Sequence, residues 1–377
     1  MIIIFFIGYL LITALLSFII KIPKNLYYFN CLLIILLICL RGYDNGSVDT
    51  INYVNWVVGK GYSFYQETED SLEPFYVKYV YFLQAFVKEG TVFLVINGVL
   101  SLIPLFFLIK KYSTNPNISL FLFFLPLSNI HRMYFVCQRQ ILAMSVILIG
   151  IICVEYLQKK YFKLFVLIAT GLIAYNLHHM SVLISVAYIL LQFVHFKKIP
   201  CVILIVLTFL LGLFYGGITD LGYLLTLYNS SGAEIIQLIR YSDASLRDSM
   251  QLAFIALSSS LLGISLLLYT SESYFNKIYS KLFFVSVLLF NLFMSLVEVY
   301  RLAGLFTIFG LMVLPTMFEN VYRRRKLTPI ICLLVLSAAY CTYSYLMTLY
   351  AIDDGLLQQD TSTLVPYKFF WEDKYNY

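Results

Sequence analysis

The chain has 377 residues, of which 61% are hydrophobic and only 12% charged, with a formal net charge of +6. Soluble domains carry about 25% charged residues, so this chain has too little polar surface to cover a water-soluble body, and lipid must solvate much of it. The positive charge is not a nucleic-acid signature, because the basic residues form short clusters between apolar segments, as in cytoplasmic loops.

In chain order, twelve apolar segments approach the ~20 residues a spanning helix needs: 2–20, 26–40, 91–109, 118–131, 139–157, 162–177, 180–195, 199–217, 251–269, 282–297, 301–318 and 328–349. The first has no basic n-region and no small-residue cleavage site, so it reads as a retained transmembrane helix, not a signal peptide. Pro74–Lys88 (PFYVKYVYFLQAFVK) is aromatic, amphipathic and carries Lys78, which predicts an interfacial or re-entrant helix. EIIQLIRYSDASLRDSMQ, from Glu234, has the spacing of a second amphipathic helix. The 32 Tyr and 32 Phe suit the same environment, since Tyr places an apolar body in lipid and a hydroxyl at the headgroups. The seven cysteines lie in or beside apolar runs, with no CxxC and no Cys/His cluster, so they read as small buried hydrophobes. There is no internal repeat. The expected fold is all-α, a single polytopic membrane domain over residues 1–377, with about 12 spans and one interfacial helix.

Orientation follows from Lys and Arg. One set of short connections holds 15 of the 26 basic residues and only 3 of the 20 acidic ones, and should be cytoplasmic. The other face then receives the loops 41–90 and 218–250 and the tail 350–377. This alternation requires that 74–88 does not cross; if it did, the first two helices would invert and 41–73 would be cytoplasmic.

Ionisable residues at helix ends or within spans are functional candidates by default, because burying them is costly. Those that stand out all fall on the outer face. Arg41 opens the loop RGYDNGSVDTINY, which continues through Asp49 and Tyr53 towards Trp56. Glu73 precedes Pro74. Arg139 follows Arg132 by seven residues at the start of a span. His178 and His179 join two spans, as do Glu298 and Arg301. Each has a plain structural alternative. Arg41 and Arg132 can anchor helix ends at headgroups. Glu298 and Arg301, three apart, can form an ion pair on one helix face. A histidine doublet can be a satisfied polar corner, and Asp49 can cap a loop helix. Taken together, several arginines, carboxylates and a histidine on one face suit an anionic substrate with a reacting hydroxyl. Arginine offers a fixed fork to phosphate oxygens, and histidine or a carboxylate can accept the hydroxyl proton.

Other chemistries lack their motifs. There is no Walker loop, no Rossmann glycine pattern and no HExxH, and no DxD-like pair for a metal-bound nucleotide sugar. No metal or other cofactor is expected. Soluble ATP and nucleotide sugars would be absent from the outer face, so an activated substrate there must arrive attached to a lipid.

The pieces R41GYDNGSVDTINY53, E73PFY76, R139QILA143, H179MS181 and Y300R301 followed by Pro315 together resemble the EpsG-type branch of the Wzy polysaccharide polymerases. The resemblance spans most of the chain and is silent on the sugar. It implies a GT-C-like, metal-independent glycosyltransferase of the bacterial inner membrane, active at the periplasmic face. Such an enzyme joins oligosaccharide repeat units carried on undecaprenyl pyrophosphate into O-antigen or exopolysaccharide. The implied partners are that lipid-linked oligosaccharide, membrane lipid, a Wzz-type chain-length regulator and a Wzx-type flippase. Carried over by position, Arg139 and Arg301 match pyrophosphate-binding arginines, and Arg41 opens the matching loop as a further phosphate ligand; Arg132, outside the matching pieces, is a phosphate candidate from its place alone. His179 matches the residue that orients or deprotonates the acceptor hydroxyl, with Glu73 and Asp49 as second choices. Tyr53, Trp56, His178 and Glu298 are candidate sugar contacts. The rivals are an O-antigen ligase, a lipid-linked oligosaccharide flippase or other transporter, and an acyltransferase built on the histidines.

Overall fold

The computed structural model describes residues 2–20, 23–42, 47–58, 72–124, 130–215, 246–293 and 297–324. Among these, every regular element is helical. The expected span 328–349, the tail 350–377 and most of the loop 218–250 lie outside the described residues.

The order is α1 (Ile2–Ile19), α2 (Lys24–Cys39), α3 (Ser47–Val58), α4 (Pro74–Gln84), α5 (Gly90–Tyr112), α6 (Pro116–Phe124), α7 (Ile130–Val136) and α8 (Gln138–Tyr156). Next come α9 (Lys160–Tyr175), a 3₁₀ turn (His179–Ser181), α10 (Val182–Leu191), α11 (Lys198–Tyr215) and α12 (Leu246–Tyr269). The described chain closes with α13 (Glu272–Phe275), α14 (Ile278–Leu292), α15 (Val297–Thr307) and α16 (Gly310–Arg323). By length and composition alone, α5 and α8 are each able to cross a membrane. Large apolar side chains cover much of the outside, including Phe165 and Leu172 on α9 and Ile203 and Leu207 on α11. Exposed apolar area of that extent is foreign to a monomer in water and suits lipid.

The predicted spans and the helices differ in their bounds. Within 118–131, α6 ends at Phe124 and α7 begins at Ile130. Segment 301–318 divides into α15 and α16 at Ile308–Phe309, where tight three-residue bonds (Phe309 N–H to Phe306 O, Leu311 N–H to Ile308 O) replace the helical ladder. Segment 282–297 stops at Leu292, and 180–195 narrows to the ten residues of α10. Hydropathy is blind to the break at Ile308–Phe309, because the residues there are still apolar. The helix within 74–88 has 11 residues. At 1.5 Å per residue that is ~16 Å, about half the ~30 Å hydrocarbon core.

Contacts at their two ends show that α5 and α8 run parallel. Asn97 Nδ2 donates to Gln138 Oε1 at 2.6 Å at one end, and Lys111 pairs with Glu155 at the other. The chain must return between them, which is the path of α6 and α7. Small residues permit the closest crossings. A Cβ at Gly98 would lie 2.6 Å from Cys39 Sγ, where α5 meets α2, and Gly150 meets Thr170 where α8 meets α9. Proline leaves a mark in α16. Pro315 has no N–H for the carbonyl four residues back, and that carbonyl, of Leu311, instead accepts Ser119 Oγ at 2.6 Å.

Candidate functional site

The site begins with a break. Cys137 (φ −88°, ψ 64°) separates α7 from α8 and places Arg139 in the first turn of α8. Arg139 Nε donates to Tyr53 Oη on α3 at 3.3 Å, and Nη1 donates to Glu73 Oε2 at 2.5 Å. The guanidinium lies over the rings of Tyr53 and Tyr76, 5.9 and 5.7 Å from their centroids. Among the described residues Arg139 Nη2 makes no hydrogen bond to the protein, and the side chain is 23% exposed. Arginine carries five N–H donors, so donors are left to face a ligand.

Glu73 holds three elements together. Preceding Pro74, it must be extended, and it is (φ −65°, ψ 136°). Its carboxylate is therefore free of its own helix. Oε2 takes Arg139, and Oε1 accepts the backbone N–H of His179 at 3.3 Å. A second bond ties the same neighbours, from Phe75 N–H to Asn176 O at 3.0 Å. The buried carboxylate thus joins the start of α4, the start of α8 and the 3₁₀ turn after α9. His179 leads that turn; its ring is exposed and packs on Tyr175 at 4.6 Å. His178, half-buried and extended (φ −164°, ψ 112°), precedes it.

Beneath Arg139, Tyr53, Trp56 and Tyr76 form an edge-to-face cluster with centroids 5.2 to 6.4 Å apart. All three are buried, Trp56 at 7% exposure. Trp56 therefore packs against the two tyrosines that lie under the arginine, and it is buried. Arg41, 1% exposed, is likewise enclosed. Its Nη2 donates to Phe135 O at 2.7 Å, its Nη1 to Ile38 O, and its guanidinium covers the Phe135 ring at 5.2 Å. A phosphate could reach it only after this packing opened.

Four predicted site residues are placed by backbone alone, their side chains lying outside the described residues. Asp49 is on α3, one turn before Tyr53. Arg132 is on α7, and Glu298 and Arg301 are on α15. Helix α15 packs against α7 and against the 3₁₀ turn of His179. The elements bearing Tyr53, Glu73, Arg139, His179 and Arg301 therefore meet at one end of the bundle, opposite the lysine-rich end.

Sequence reasoning missed the supports. Gln138 Oε1 accepts Asn97 Nδ2, and Asn97 Oδ1 accepts Tyr79 Oη at 3.3 Å, which braces α8 on α5 and α4. Thr50 Oγ1 donates to Phe135 O at 3.0 Å. An asparagine inside the apolar run of α5 was the available signal, since a buried amide requires partners. Among the described residues no group of His, Cys, Asp or Glu is arranged to hold a metal ion.

No curated protein and no solved structure matches the chain. The sequence model of the EpsG family matches residues 24–369. That match covers every element of the site, from Arg41 to Arg301, and the chain belongs to the EpsG family.

Proposed function

We propose that this membrane protein is a glycosyltransferase that polymerises oligosaccharide repeat units carried on undecaprenyl pyrophosphate, working at the periplasmic face of the bacterial inner membrane. The observation that carries the reading is the Arg139–Glu73 pair. It is a half-enclosed guanidinium with unspent donors, held where α3, α4, α8 and the His179 turn meet, in a chain of the EpsG family.

In this reaction the acceptor hydroxyl attacks C1 of the donor sugar. The new C1–O bond forms as the bond from C1 to the pyrophosphate oxygen breaks, and undecaprenyl pyrophosphate leaves. Arg139 faces the pyrophosphate and stabilises the charge that builds there, with Arg301 as its partner. Glu73 has both oxygens engaged, so it braces the arginine and orients the turn. The exposed His179 ring accepts the hydroxyl proton. Alignment of C1, the attacking oxygen and the leaving oxygen is the main requirement, and the hold of Tyr53, Glu73 and Tyr76 on the arginine serves it.

The test is reconstitution in liposomes with the cognate lipid-linked repeat unit and a chelator, beside Arg139→Ala and His179→Ala. A product ladder from wild type that vanishes with Arg139→Ala supports the reading. Lipid-linked sugar moved across the bilayer without a ladder would favour a flippase, and transfer to a different acceptor a ligase.

A further inference from the structure

We propose that Arg41 is a positioning residue that holds the α7–α8 break, and thereby aims Arg139, without itself contacting the substrate. The proposal rests on the polymerase reading for its kinetic consequence and on geometry for the rest.

A buried guanidinium needs partners for its charge. Arg41 has last-turn carbonyls from two helices, Ile38 O of α2 and Phe135 O of α7. Such carbonyls are left without helical partners and carry the negative end of the helix dipole. The Phe135 ring beneath adds its π face. The break at Cys137 makes Phe135 O a shared acceptor, since Thr50 Oγ1 reaches it at 3.0 Å and Gln138 Nε2 at 3.4 Å. That carbonyl lies four residues before Arg139. The side chains of Arg41 and Thr50 thus bind the pivot about which the first turn of α8 is set, while Asn97 binds the other side through Gln138. If the pivot relaxes, the arginine moves relative to Glu73 and Tyr53, and a shift of ~1 Å at a reacting centre can cost ~100-fold in rate.

The experiment uses the full-length protein in liposomes, with Arg41→Lys, Arg41→Met and Thr50→Val. Two readouts are taken: kcat and KM for the lipid-linked unit, and N-ethylmaleimide labelling of Cys137, at the break itself, followed by peptide-resolved mass spectrometry. The expected result is a ~10- to 100-fold fall in kcat for Arg41→Met with KM within ~2-fold. Arg41→Lys and Thr50→Val should fall less, in the same direction, and Cys137 labelling should rise in the same order. Thr50→Val keeps the question decidable if Arg41→Met fails to fold. A raised KM with kcat and Cys137 labelling unchanged would overturn the proposal and make Arg41 a substrate ligand. If wild type makes no ladder the polymerase reading fails, and the labelling series alone then decides whether Arg41 holds the break: a rise supports it, and no change overturns it.

Discussion

The two ends of the helix bundle use charge differently. At the lysine-rich end, charged and amide side chains are consumed in closing connections. Asn276 accepts Phe196 N–H at 2.8 Å and donates to Phe196 O at 2.9 Å, fastening the loop between α10 and α11 to α13. Lys281 donates to Leu191 O at 3.0 Å and Val194 O at 2.5 Å, satisfying the end of α10. Glu155 takes Lys111 and, at 3.2 Å, Tyr279 Oη. At the opposite end Arg139 and Glu73 also meet from distant elements, but the arginine keeps donors to spare. Where such polar groups are spent on carbonyls and on one another, they hold the fold. Where they are left incompletely bonded, a ligand is the natural remaining partner.

Substitutions at the two ends should therefore separate activity from stability. The largest effect is expected from Arg139→Ala, a loss of ~100- to 1,000-fold in polymer formation, read on the product ladder; retained activity would remove the site from this end. His179→Ala should lose ~100-fold, the usual contribution of a general base, and a loss below ~10-fold would demote the histidine to positioning. Glu73→Gln keeps an acceptor for the His179 N–H but removes the ion pair. It should cost ~10-fold in activity through misplacement of the arginine. A double-mutant cycle with Arg139→Gln should show a coupling of about 1–3 kcal/mol in stability; additivity would mean that the pair is not formed. At the lysine-rich end, Asn276→Ala loses two partly buried bonds. It should lower stability by about 1–3 kcal/mol in thermal unfolding while turnover stays within ~2-fold. Lys111→Ala should do least, below ~1 kcal/mol, because its pair with Glu155 is partly open to solvent and screened. A large loss of activity from either of these last two would erase the distinction between the ends.

Much of the outline was legible beforehand because it is local. Apolar runs long enough to span, lysines between them, and Pro74 after Glu73 are properties of adjacent residues, and they correctly located most helices and the start of α4. The family pieces were legible for a similar reason. The site was legible only as a set of names. Nothing within a short window says that Glu73 reaches Arg139, that its other oxygen takes the backbone of His179, or that Trp56 is buried.

The sequence by itself determined that the chain is an all-helical membrane protein of the EpsG family. Solvation by lipid acts on composition, and composition can be counted. Tertiary structure alone decided where the helices break and what Arg41 does. It also decided which carboxylate partners Arg139. These depend on which helices pack side by side, and in lipid that choice follows from close fit at small residues and from matched buried polar groups, which are relations between segments and not properties of any one of them.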